Sequence, residues 1–117
     1  MTQDPQPTRP PIDTRPPGTF NEFVDRFPTL GKAWDLLHQA GDQGPLDDRT
    51  RRLVKLALSV GAMREGAVHS AVRKAVAAGC SRQEVEQVVA LAASTVGMPA
   101  TVAVWTWVRD VFEPGRA

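Results

Sequence analysis

Glu65 and His69 are the pair in this chain whose types and spacing point most directly to chemistry. They stand four residues apart in a helical stretch, one turn from each other on one face. A carboxylate so placed can orient an imidazole or favour its charged form, which makes a general acid or base near neutral pH. On a helical wheel, Arg64 falls near the middle of that segment's apolar face, with Glu65 and His69 at its edge. A plainer account of the same residues is structural. An exposed Glu–His pair contributes roughly 0.2–0.5 kcal/mol, and an arginine near a helix start snorkels into water. His38, beside Gln39 in an amphipathic segment, reads as a solvated surface residue. Cys80, between Gly79 and Ser81, reads as a buried junction residue rather than a nucleophile. As the single cysteine it excludes an internal disulfide and a cysteine-based zinc site. No metal is expected.

The elements that must carry these side chains all read as helical, and the expected fold class is all-α, with five to six helices. Phe20, Phe23, Val24 and Phe27 make a short apolar face that stops at Pro28. Leu30, Ala33, Trp34 and Leu37 follow at helical spacing, with Gly41 as the expected end. Gly41 to Leu46 is a loop by its glycines and proline. Asp47 or Asp48 caps a helix through Leu53, Val54, Leu56, Ala57 and Val60 to Gly61. The next helix covers about Met63 to Ala78. Ser81 and Glu84 form a capping box that opens a helix ending at Gly97. Pro99 suits the first turn of the last helix, Ala100 to Phe112. Met63 and Met98 read as core filler.

Six of the ten prolines fall within the first 17 residues. With only Met1 and Ile12 as sizeable apolar groups, residues 1–18 are expected to be an extended or disordered arm, ahead of a helical domain over 19–117. The 117 residues suffice for one modest core. Fourteen basic against 13 acidic side chains give a net charge of +1, which argues for no nucleic acid partner. No run is long and apolar enough to span a membrane, and Met1 to Gly18 does not look like a secretion signal, so a cytoplasmic location is expected. Two features point to self-assembly. Ala67/Val68, Ala71/Val72 and Ala75/Val76 repeat every four residues, a stripe that lets a helix approach closely. Trp105 and Trp107 point different ways from a helix that is apolar almost all round, and a chain this small cannot hide both.

The stretch Leu46-Asp47-Asp48-Arg49-Thr50-Arg51-Arg52-Leu53-Val54-Lys55-Leu56-Ala57, then Glu65-Gly66-Ala67-Val68-His69-Ser70, Ala78-Gly79-Cys80-Ser81-Arg82-Gln83-Glu84-Val85 and Gly97-Met98-Pro99-Ala100, resembles the carboxymuconolactone decarboxylase family, which includes alkylhydroperoxidase AhpD and its relatives. The resemblance covers Leu46 to Phe112. It implies an all-helical fold and a homotrimer or homohexamer. It also shows a departure. The AhpD-like branch uses a Glu followed by Cys-x-x-Cys-x-x-x-His, in which a proton relay activates a thiol pair that cycles through a disulfide. Counted back from Gly79, the His position holds Ala71, the two Cys positions hold Ala67 and Arg64, and the Glu position holds Arg52. The usual thiol peroxidase chemistry is therefore not expected.

The decarboxylase branch likewise lacks the thiol pair, uses no cofactor and acts on a small carboxylated lactone. By this resemblance Arg52 and Arg64 would bind a carboxylate bidentately, Ala67 and Ala71 would leave room for the substrate, and His69, tuned by Glu65, would move a proton. Against this, Arg52 can simply pair with Asp48, and the alanines can serve close packing. Three functions compete. They are a cofactor-free lyase or isomerase on a small carboxylate or lactone, a non-catalytic oligomeric binding module, and, last, a hydroperoxide reductase relying on Cys80 between subunits.

Overall fold

A computed structural model gives the structure of the chain and describes residues 18–115. The described residues form α-helices and no strand: α1 Gly18–Arg26, α2 Pro28–Asp42, α3 Asp48–Gly61, α4 Glu65–Ala77, α5 Arg82–Val96 and α6 Met98–Phe112. The all-α expectation therefore stands. The proline-rich arm expected over residues 1–18 lies outside the described residues except for Gly18, which opens α1.

The helix boundaries follow from local chemistry. Asp47 caps α3 by accepting from the Thr50 N–H at 2.8 Å. Ser81 accepts from the Glu84 N–H at 3.0 Å, and the Glu84 carboxylate accepts from the Ser81 N–H at 2.8 Å, completing the capping box of α5. At the end of α4, Gly79 takes φ +95° and its N–H reaches Val76 O, while the Cys80 N–H reaches back to Ala75 O. This pair of bonds satisfies carbonyls that the last turn leaves open. The same pattern ends α3, where Met63 N–H reaches Val60 O and Arg64 N–H reaches Ser59 O. There the left-handed position is held by Met63, at φ +54°. Met63 is thus a turn residue, 38% exposed, and Met98 is 64% exposed. Neither fills the core as their types suggest.

α3 to α6 make one packed unit. α3 lies against α4 and α5, and α6 against α4 and α5, so the four helices close a ring around one core. Leu56 and Val60 from α3, Val68, Val72 and Ala75 from α4, Val85 and Val89 from α5, and Val104, Val108 and Phe112 from α6 fill it. These are the apolar positions at helical spacing in each segment. Trp107 packs on this core from its edge, whereas Trp105 is 39% exposed beneath the Arg109 guanidinium. Arg82 ties the start of α5 to the end of α6, donating to Glu113 at 2.7 Å and lying over the Phe112 ring.

α1 and α2 form a separate helical pair with no buried residue of its own. Phe20 meets Trp34 at 6.4 Å between ring centroids, and Gly31 lets the two helices approach, since a Cβ there would lie 3.2 Å from Val24 Cβ. Because this pair projects from the four-helix unit, the radius of gyration is 15.9 Å, against about 13 Å for a compact chain of this length.

Glu84 joins two elements as well as capping one. Arg49 at the start of α3 donates to both its carboxylate oxygens, at 2.6 and 2.8 Å. The Ser81 N–H and the Arg49 guanidinium hold the Glu84 carboxyl below its ordinary value. A lowered carboxyl stabilises the fold at pH values above its unfolded pKa, and that contribution is lost as pH falls through the folded value. Ser81→Ala is expected to lower unfolding free energy by about 1 kcal/mol near neutral pH. Glu84→Gln is expected to flatten the acid limb of stability below about pH 4.5. Urea unfolding of both variants against wild type, at neutral pH and again in acid, checks both.

Candidate functional site

The turn from Ala62 to Arg64 folds α4 back along α3, and this places the candidate residues. Glu65 opens α4, and His69 lies one turn further on. Their side chains meet, with His69 Nε2 at 3.9 Å from Glu65 Oε2. That distance is too long for a hydrogen bond. His69 is 29% exposed as a side chain, yet its Nε2 atom is out of water and has no hydrogen-bond partner among the described residues. A buried ring nitrogen without a partner is uncommon and calls for an explanation, because leaving such a group unpaired costs about 1–3 kcal/mol. Glu65 stays exposed at 57% and remains free to turn toward the ring.

Arg64 is the N-cap residue of α4, exposed, with no side-chain capping bond. Arg52 lies elsewhere. The run from Arg52 to the end of α3 is roughly 13 Å of helix rise, so Arg52 and Arg64 sit toward opposite ends of the antiparallel pair. The fold does not bring them together around one carboxylate. Arg52 Nε instead stands 3.6 Å from Asp48 and borders a cleft between α2 and α3. Ala71 is 8% exposed and belongs to the core, while Ala67 is half-buried beside it. Their placement matches close helix packing.

Cys80 is 5% exposed, with its Sγ 3.7 Å from Arg49 O. It is a junction residue between α4 and α5, as its sequence neighbours suggest. His38 differs from expectation. It is half-buried, its Nδ1 lies 3.0 Å from Trp34 O, and its ring stands edge-on to Trp34 at 4.7 Å. With Lys55 it borders the same cleft as Arg52. Trp34 and His38 stand four apart, and Arg52 and Lys55 three apart. Each spacing marks a shared helix face, but nothing in either segment says that the two faces meet. No described cluster of His, Cys, Asp and Glu has the arrangement to hold a metal ion. No described helix is long and apolar enough to cross a membrane.

No match was found among curated proteins or among solved structures. Residues 28–110 match the carboxymuconolactone decarboxylase family. The match begins at the first residue of α2 and runs almost to the end of α6, so it takes in the projecting helix along with the four-helix unit. The order of helices, the capping box at Ser81 and the glycine-closed end of α4 lie inside the matched region, and on this the chain belongs to the carboxymuconolactone decarboxylase family.

Proposed function

We propose that this chain is a cofactor-free acid–base protein acting on a small anionic organic molecule, with a carboxylated lactone as the model substrate. The observation that carries the reading is the His69 Nε2 atom, removed from water, without a hydrogen-bond partner among the described residues and beside a carboxylate. His69 is the group that gives or takes the proton. Glu65 orients its ring and balances the charge when the ring is protonated. Arg64, adjacent to Glu65, supplies a cation for the substrate's carboxylate, with half-buried Ala67 keeping the helix face beside it small, whereas Ala71 belongs to the core. Arg52 contributes to anion attraction from the far end of the helix pair. In a decarboxylation of this type the bond to the departing carboxylate breaks, its electron pair passes into the conjugated lactone, and a proton is returned to carbon.

Assembly is part of the proposal. Leu36, Leu58, Leu91, Met98 and Val102 are each more than half exposed, on four different helices. Such surface supports a homotrimer or homohexamer. Sedimentation equilibrium is expected to give a mass three or six times 12.7 kDa, and a monomer throughout the micromolar range would contradict it. The same exposed surface favours the second reading, a non-catalytic assembly module. Hydroperoxide reduction ranks last, because Cys80 is the one cysteine of the chain and is buried.

Ring signals of His69, assigned with the His38→Gln variant, separate the first two readings. Addition of a carboxylated lactone is expected to move the His69 signals and to be followed by loss of the lactone's ultraviolet absorbance. Signals that ignore the lactone, with no loss of absorbance, would leave the assembly module.

A further inference from the structure

The corner where α2 turns into α3 encloses a cleft of about 300 Å³, toward the small end of the usual range for ligand pockets. Trp34 and Leu37 of α2, Leu46 of the connecting loop and Val54 of α3 give it apolar lining. Arg51, Arg52 and Lys55 add three cations, against Asp42 as the one carboxylate of the lining.

These cations are not equivalent. Arg51 is satisfied within the corner: it donates to Leu46 O at 3.1 Å and to Asp48 Oδ1 at 2.8 Å, and its Nε lies 3.5 Å from Asp42. It clips the loop to α3 and occupies both acids. Arg52 is left with a 3.6 Å approach to an Asp48 oxygen already engaged by Arg51. Lys55 has no carboxylate at ion-pair distance among the described residues, and neither has Lys74 on α4. Burial, then repulsion from Arg52, Lys55 and Arg73, pushes the Lys74 ammonium below its ordinary value. The fold thus gathers like charges next to an apolar cleft, with Arg52 holding only a share of Asp48, and Lys55 and Lys74 without an ion pair among the described residues, an arrangement that an added anion relieves.

We infer that the α2–α3 cleft binds a small organic anion with a flat apolar body, an aryl carboxylate in its simplest form, whose carboxylate meets Arg52 and Lys55 while its ring lies against Trp34 and Leu37. Guanidinium grips a carboxylate through two parallel bonds. The indole adds a large rigid surface for the ring. Arg52 is common to this site and the acid–base reading, but His69 and Glu65 do not line the cleft, so naphthoate binding and lactone turnover report on the two separately.

The test follows the three tryptophan indole N–H resonances of the full chain during titration with 1-naphthoate. Two partial probes run alongside: 1-naphthamide carries the ring without the charge, and inorganic phosphate carries charge without the ring. Naphthoate is expected to move the Trp34 signal and to leave that of Trp105 in place. The amide is expected to bind about fivefold more weakly or worse, and phosphate more weakly still. Arg52→Gln and Lys55→Gln should each weaken naphthoate binding about three- to tenfold. Arg109→Gln, which removes a cation on α6 over Trp105, should leave it unchanged. The inference is overturned if the amide or phosphate matches naphthoate, or if both cleft variants bind as wild type does. It is equally overturned if the Trp34 signal never moves, the result to expect were a second copy of the chain seated in the cleft.

Discussion

Leu56→Ala is expected to lower the unfolding free energy by about 2–5 kcal/mol, a large share of the roughly 5–15 kcal/mol that holds a domain of this size. Leu56 is fully buried on α3, the helix that lies against both α4 and α5. Truncation there removes the transfer free energy of three carbons. It also leaves a void that packed backbones on two sides cannot close, and that second term is why the cost exceeds area bookkeeping alone. Val54, two residues earlier on the same helix, is 44% exposed. Val54→Ala is therefore expected to cost about 0.5 kcal/mol or less. Urea unfolding of the two variants measures the difference. Equal losses would mean that α3 does not face the core as described. The consequence reaches the candidate site, because α4 carries Glu65 and His69 and is held in place by α3.

The order of the helices is readable in the sequence because each boundary is marked by a residue with a backbone reason for being there. Pro28 starts α2, Asp47 and Ser81 cap α3 and α5, and Gly79 and Gly97, at φ +95° and +92°, end α4 and α5. The four-residue repeat of Ala67/Val68, Ala71/Val72 and Ala75/Val76 points to close approach by a second copy, but Val68, Ala71, Val72 and Ala75 are used up in the chain's own core. Met63 is the exception among the boundaries. A left-handed turn position normally calls for glycine, and a methionine there gives no signal, which is why the residue passes for core filler.

The candidate site is legible only within single helices. Glu65 and His69 meet because a spacing of four on one helix brings side chains together whatever the surrounding fold. Arg52 and Arg64 do not meet, since the turn at Met63 sends α4 back along α3 and carries Arg64 to the far end. The cleft beside Arg52 was hidden for the same kind of reason. It depends on the angle between α2 and α3, across which Arg51 reaches Leu46 and Asp42, and no periodicity within either helix encodes that angle. His38 changed from a solvated residue to a cleft residue on this account.

The proposal that matters most is that His69 on α4 of this chain does acid–base chemistry in place of a thiol pair. Two substitutions separate the alternatives because they touch different parts of the fold. His69→Gln keeps a polar side chain of similar reach next to Glu65 but cannot carry a proton between pH 5 and 9. Loss of a general acid or base lowers turnover by about 10²–10⁴-fold. Cys80→Ser changes a buried junction residue and leaves α4 as it is. The most direct measurement is the steady-state rate of wild type, His69→Gln and Cys80→Ser on a carboxylated lactone, with an alkyl hydroperoxide and a dithiol reductant assayed in parallel. The expected result is lactone turnover by wild type and Cys80→Ser, turnover reduced at least about 100-fold in His69→Gln, and no peroxide reduction by any of the three. Lactone turnover undiminished in His69→Gln, or peroxide reduction abolished by Cys80→Ser, would contradict the account.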